Sequence, residues 1–128
     1  MSILKIYQGH ALQAALAEIV RPVQVNYIAF DQPESATVQA LADLMELTPY
    51  LSVNFQPELT AEADRVIIQD QDGHELVFVG PPVGTELAAL VSAVIVTGRG
   101  RSGLSWPTRQ SLANLHSPIH LAVFTTPT

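Results

Sequence analysis

Apolar and polar positions follow two rhythms along this chain, and the switches between them predict its elements. From His10 to Val20, apolar residues recur at Ala11, Leu12, Ala15, Leu16, Ile19 and Val20, the spacing of one helix face. Pro22 ends that helix, because the residue before a proline avoids the helical region. Val23 to Phe30 first alternates and then turns apolar, as a strand near the middle of a sheet does. Asp31-Gln32-Pro33-Glu34 carries helix-start chemistry: Asp31 can accept from early N–H groups, Pro33 tolerates the first turn, and Glu34 suits the positive end of the dipole. The helix predicted over 36–47 offers Val38, Leu41, Ala42, Leu44, Met45 and Leu47 as one broad apolar face, and Pro49 closes it.

Leu51 to Phe55 alternates strictly and predicts a strand. After Pro57 comes an acidic link. Arg65–Gln69 and Glu75–Val79 predict two strands joined by the turn residues Asp70-Gln71-Asp72-Gly73. Gly80-Pro81-Pro82 breaks the chain, and Gly84-Thr85-Glu86 opens a helix over 87–97. Ser105 and Pro107 start another helix, running to about His116. Pro118 then introduces an apolar strand, Ile119 to Phe124. The order from 22 to 97 is β-α-β-β-β-α. It implies an α/β fold with a sheet of parallel and antiparallel parts and helices on its faces.

With 128 residues, 48% of them hydrophobic, the chain can build one cored domain but not two full ones. The longest nearly apolar run, Leu87 to Val96, is too short to span a bilayer, and Met1-Ser2-Ile3-Leu4-Lys5 lacks the features of a signal peptide. A cytoplasmic location is the expectation. Charge is split: residues 1–87 hold all twelve acids with Lys5, Arg21 and Arg65, whereas 88–128 hold Arg99, Arg101 and Arg109 and no acid. Such a surface does not suit nucleic acid. The basic end reads as a solvated corner or as a docking edge for an acidic partner.

The chain has no cysteine, so within itself it has no disulfide, thiol nucleophile or thiolate metal site. Its histidines are His10, His74, His116 and His120, and none forms a helical pair beside a glutamate. No metal site is expected. The loudest motif is Val94-Ile95-Val96 leading into Gly98-x-Gly100-x-x-Gly103, on paper a dinucleotide fingerprint. That fingerprint needs a strand before the first glycine, a helix opening at the third, and an acid about 20 residues on. Here a helix precedes Gly98, the next helix starts near Pro107, and no acid follows Glu86. Gly98 therefore reads as a helix cap, the loop as a flexible basic connector, and no nucleotide or other cofactor is expected on this chain.

Two places echo one another. A predicted helix ends in Arg21-Pro22 before Val23-Gln24-Val25, and another ends in Ser117-Pro118 before Ile119-His120-Leu121, 96 residues later. Both strands lead to proline-containing turns, Phe30-Asp31-Gln32-Pro33 and Phe124-Thr125-Thr126-Pro127. The chain either begins a second copy of its own unit or closes its sheet with a last strand.

The β-α-β-β-β-α unit with its proline-flanked entry strand resembles a thioredoxin-like fold. More closely, the chain resembles the first, cysteine-less half of the N-terminal domain of the alkyl hydroperoxide reductase flavoprotein subunit. The residues that carry this are Arg21-Pro22-Val23, the helix over 36–47, Phe78-Val79-Gly80-Pro81-Pro82-Val83-Gly84-Thr85-Glu86-Leu87 and Val96-Thr97-Gly98, within a likeness covering most of 10–128. The expected fold is a thioredoxin-like three-layer sandwich with a mixed four-stranded sheet, plus an extra C-terminal helix and strand that begin a second unit. Residues 1–116 would be the thioredoxin-like domain lacking Cys-x-x-Cys, and 117–128 the start of a second, truncated unit.

The resemblance implies the rest. In that family two thioredoxin-like halves stand in tandem, and only the second carries Cys-x-x-Cys, at the turn after its first strand. That turn would here be Thr125-Thr126-Pro127-Thr128, with the motif starting at the next residue, so a fragment is expected and a naturally short chain is the alternative. The first half's own motif position falls at Asp31-Gln32-Pro33-Glu34, and the cis-proline position near Ala63 or Asp64 holds no proline. The glutamate matching Glu86 is implied as an acid/base helper for cysteines outside this chain; its plain reading is a carboxylate favoured by the helix dipole.

The implied function is non-catalytic: a scaffold and docking half in a disulfide relay from a flavin reductase to a peroxiredoxin. FAD and NADH belong to the parent protein, and no activity is expected of this chain alone. Partners would be the second thioredoxin-like half and a peroxiredoxin-type protein. The alternative is a stand-alone binding module with no redox activity. Partner-binding candidates are Arg99, Arg101, Arg109, Ile119, Leu121 and Val123, and the unpaired apolar strand also predicts a two-fold homodimer.

Overall fold

The alternating stretch after Pro22 becomes β1 (Val23–Ala29), the central strand of a computed structural model that describes residues 9–125. Before it lies α1 (Gly9–Leu16); after it come α2 (Ser35–Leu47), β2 (Leu51–Pro57), β3 (Arg65–Gln69), β4 (Glu75–Val79), α3 (Glu86–Arg99) and α4 (Trp106–Ala113). The strands form one sheet in the order β2-β1-β3-β4. The α2 crossover returns the chain parallel to β1, pairing Val23 with Leu51 through Ala29 with Pro57. β3 runs antiparallel to β1, and a tight hairpin returns β4 antiparallel to β3. Its last turn residue, Gly73, sits at φ +88°, open to glycine at no steric cost.

Alternation gives β1 two unlike faces. Val23, Val25, Tyr27 and Ala29 are buried with Leu51, Val66 and Ile68, and helices close over them with Leu12, Leu41, Leu44, Leu90, Val91 and Val94. The other face carries Gln24, Asn26 and Ile28 half-buried, beside exposed Ser52, Asn54 and Gln56. Polar side chains there bind one another: the Ser52 hydroxyl donates to Gln24 Oε1 at 2.7 Å, and Gln24 Nε2 donates to Asn26 Oδ1 at 3.2 Å. Among the described residues no side chain on this second face is fully buried. Of the three expected layers, the described residues supply the sheet and one helical layer.

Several boundaries differ from the sequence reading. α1 stops at Leu16, and Glu18 and Ile19 bond back three residues, to Ala15 and Leu16, in a tighter turn. α2 begins at Ser35, one residue ahead of the predicted 36–47, with Glu34 rather than Asp31 as its N-cap, and the Glu34 N–H goes to the Tyr27 hydroxyl. Its buried stripe is Thr37, Ala40, Leu41 and Leu44, which leaves Met45 and Leu47 at the surface. Thr37 can lie inside because its hydroxyl donates to the Pro82 carbonyl at 2.7 Å, tying α2 to the loop before α3.

The largest departure is at the end. α4 starts as read, with Ser105 as N-cap accepting from Thr108 N–H and a proline in its first turn, but it ends at Ala113 rather than near His116 and none of its residues is buried. Residues 119–125 follow in the open and belong to no ladder. A strand exists only by pairing, and no described strand lies alongside to pair with. The segment therefore does not close this sheet.

Candidate functional site

The resemblance places thioredoxin-like catalysis at the turn after β1, here Asp31–Glu34. Tyr27 is fully buried on the central strand, and its hydroxyl needs partners. It donates to Asp64 Oδ2 at 2.7 Å and accepts from the Glu34 N–H at 2.9 Å. The other Asp64 oxygen accepts from the Phe30 N–H at 3.0 Å. Burial first, then the bond to Asp64 and its charge, push the Tyr27 phenol up to about 12, against the lowering pull of the Glu34 N–H. The group is a neutral clamp at neutral pH. It binds the Asp31–Glu34 turn to the loop before β3, where the resemblance puts a proline. No local pattern pairs Tyr27 with Asp64; the one signal in the sequence is a hydroxyl on the inward face of a central strand.

The glycine motif has a structural explanation at each position. α3 runs through Gly98 to Arg99, so Gly98 is not the cap; Gly100, at φ +72°, is. Gly98 is glycine because the turn after α1 crosses α3 there. A Cβ on it would meet Ile19 Cγ2 at 2.6 Å and Val23 Cγ2 at 3.1 Å. The Gly98 carbonyl accepts from both Val20 and Arg21 N–H at 3.1 Å. No helix N-terminus opens at Gly103, so the loop offers no phosphate cradle of the dinucleotide kind.

The basic loop is folded rather than loose. Arg99 reaches Glu18 at 3.5 Å and Arg101 reaches it at 3.6 Å, while Arg99 Nε donates to the Arg101 carbonyl at 2.9 Å. Two of the three candidate docking arginines thus hold the loop against the end of α1. Arg109 stands apart on exposed α4. Ile119, Leu121 and Val123 are each exposed.

Glu86 is the first residue of α3 and is half-buried. The Thr125 hydroxyl donates to its Oε1 at 2.5 Å, across 39 residues of sequence. The expected redox turn begins at Thr125, and its remainder, 126–128, lies outside the described residues.

Asp70, Asp72 and His74 lie close together on the β3–β4 hairpin, with ligand atoms within 4.8 Å. Their bonds build the turn: Asp70 Oδ1 accepts from the Asp72 and His74 N–H groups, both at 2.9 Å, and Asp70 Oδ2 pairs with His74 Nδ1 at 2.9 Å. The bond to the ring, first of several, holds the Asp70 carboxyl below the usual carboxylate range, and the same bond raises His74. Asp70 then favours folding above its ordinary value, an effect lost as pH falls through its folded one. His74 does so below its ordinary value, an effect lost as pH rises through its folded one. Asp70→Asn is expected to return His74 to the ordinary imidazole range in an NMR titration of its ring protons; an unmoved midpoint would show that the bond is absent in solution.

A shallow apolar depression lies between α1 and the end of α2, lined by Leu16, Ile19, Leu47, Pro49 and Tyr50. Among the described residues its lining has no carboxylate, imidazole or amine, and one phenol, that of Tyr50. Among the described residues no helix is long and apolar enough to cross a membrane.

No protein-family model matches this sequence, and no curated protein matches it either. Solved structures do. The alkylhydroperoxide reductase component AhpF of Enterococcus faecalis superposes with a TM-score of 0.64 at 20% identity, covering 84% of this chain and 59% of that one. A protein disulfide oxidoreductase from Aeropyrum pernix superposes with a TM-score of 0.64 at 21% identity, covering 90% of this chain and 56% of that one. The chain spans less than two thirds of either. Likeness at this identity shows the fold, which is thioredoxin-like.

Proposed function

We propose that this chain is the thiol-free scaffold of a thioredoxin-like disulfide relay, passing no electrons itself but placing Glu86 beside the dithiol of a second half. Electrons would run from NADH through a flavin reductase to that dithiol and on to a peroxiredoxin-type partner. The observation that carries this is the bond from Thr125 to Glu86. It joins the start of α3 to the residue at which the resemblance puts the redox turn. The fold shared with a disulfide oxidoreductase and an alkylhydroperoxide reductase component supports the redox setting.

The chemistry asks little of the scaffold. A cysteine thiol in the second half gives its proton to the Glu86 carboxylate, and the thiolate attacks a disulfide sulfur of the next carrier. One S–S bond breaks as the mixed disulfide forms. The leaving thiolate takes the proton back from Glu86. The Tyr27–Asp64 clamp ties this half's own turn, which holds no cysteine, to the loop before β3.

Joined ahead of a Cys-x-x-Cys thioredoxin-like half and supplied with flavin reductase, NADH and peroxiredoxin, the chain is expected to support NADH-dependent peroxide reduction. Glu86→Gln is expected to slow it about tenfold or more, with a changed pH profile. NADH oxidation that ignores both the chain and the substitution would overturn the relay reading and leave a binding module without redox role.

A further inference from the structure

Among the described residues, the last strand of the sheet, β4, has a neighbour on one side only. Antiparallel pairs alternate between those that exchange hydrogen bonds and those that do not. The β3–β4 ladder is flanked by bonds from the Asp70 N–H to the His74 carbonyl and from the Gly80 N–H to the Asp64 carbonyl. Counted inward along the register, the bonded pairs are then Ile68 with Leu76 and Val66 with Phe78. The N–H and C=O groups of Glu75, Val77 and Val79 therefore point away from β3. They lie along an edge where Leu76 and Val77 are 45% exposed and Val79 77% exposed. Such an edge accepts a further strand. The other edge, β2, carries polar Ser52, Asn54 and Gln56 and ends in Pro57, which has no N–H.

β4 is complementary to itself. Set antiparallel across a two-fold axis at Val77, Glu75 of one copy faces Val79 of the other, and each outward N–H meets a carbonyl. Sliding one way sets β4 against the Gly73 turn, whose N–H is already bonded to the Asp70 carbonyl. Sliding the other way brings in Pro81, which has no N–H. Side chains agree with the central register. Leu76, opposite Ile68 and half exposed, gains Phe78 of the other copy as a cross-strand neighbour. On the face without helices, Ile67 and Val77 of both copies form one β-branched row. Charge agrees as well. Arg65 stands next to Val79. Glu75 of one copy is thus two strand spacings, about 10 Å, from Arg65 of the other, within reach of two long side chains. Arg65 uses Nη2 on Glu58, and a guanidinium has further donors. The two Glu75 carboxylates stay at opposite ends of the contact.

We propose that β4 pairs with β4 of a second copy of this chain, joining two four-stranded sheets across a two-fold axis at Val77. The contact uses no residue of 119–125 and leaves Thr125 on Glu86. It needs no thiol and stands apart from the relay reading.

Wild-type chain is expected to sediment as a dimer that gives way to monomer on dilution. Val77→Lys sets two ammonium groups at the axis and takes nothing from the core, so it should give a folded monomer with an unchanged circular dichroism spectrum. The chain has no cysteine of its own. Val77→Cys chain should cross-link to itself under mild oxidation, because a bonded antiparallel pair stands about 5.5 Å apart at Cα, inside disulfide range. Val79→Cys should not, although Val79 is the more exposed of the two; mixed with Glu75→Cys chain, it should. Wild type that remains a monomer to near-millimolar concentration overturns the proposal. So does Val79→Cys cross-linking to itself as readily as Val77→Cys, which would mean chance collision or another register. So does a dimer that is lost when a thioredoxin-like half is joined after Thr128, which would give the edge to that half.

Discussion

Gly98→Ala is expected to destabilise the protein, although alanine is the better helix former. The gain from helix propensity is about 1 kcal/mol. Against it stands a Cβ placed 2.6 Å from Ile19 Cγ2, inside normal contact, with Val23 Cγ2 at 3.1 Å. Ile19 is buried and β-branched, and Val23 lies on the central strand, so neither swings aside easily. Overpacking of this kind costs about 1–3 kcal/mol. It also pushes on the two hydrogen bonds that Val20 and Arg21 make to the Gly98 carbonyl. Gly98→Val should cost more still. The check is urea unfolding of Gly98→Ala, Ile19→Ala and the double variant. Ile19→Ala opens the space that the new methyl needs, so the double variant should lose less than the sum of the singles. Additive losses would show that the crossing is looser than 2.6 Å implies.

Tyr27→Ala should cost about 3–5 kcal/mol, the usual range for emptying a buried aromatic site. Tyr27 is fully buried, stands 5.9 Å centroid to centroid from the Phe55 ring, and holds both Asp64 and the Glu34 N–H. Tyr27→Phe separates the two roles: it keeps the ring and removes the hydroxyl, at an expected cost of about 1–3 kcal/mol. The phenol also gives a signature in pH. Its proton is held more tightly in the folded state, with the value pushed up to about 12. Its stabilising effect is therefore complete below its ordinary value near about 10. It is lost as pH rises through the folded value. The urea midpoint of wild type should fall between those values more steeply than that of Tyr27→Phe. Parallel curves would mean that the phenol titrates as freely folded as unfolded.

These two residues show how much of the molecule is legible in one dimension. The strand stretches at 23–30, 65–69 and 75–79 and the helix over 87–97 predict their elements to within two residues. Side-chain periodicity is a local property, and the backbone obeys it wherever one face must be buried. The Asp70–Gly73 hairpin and the Ser105 cap were readable for the same reason, since their bonds span only a few residues. Glu86 could be singled out too, but only through family likeness.

What periodicity could not supply was partners. Gly98 looks like a cap or a nucleotide turn until Ile19, 79 positions earlier, is found against it. The Tyr27 clamp depends on Asp64, 37 positions later, and on a backbone N–H that no side-chain pattern encodes. Arg99 and Arg101 read as a basic edge, and no local pattern announces their shared partner Glu18, 81 and 83 positions earlier. Ile119 to Phe124 has every local mark of a strand and forms no ladder. The order of residues along this chain settled which segments would be helical or extended. Which of those segments found a neighbour was settled in three dimensions, because a contact is a property of two places and a sequence records them one at a time.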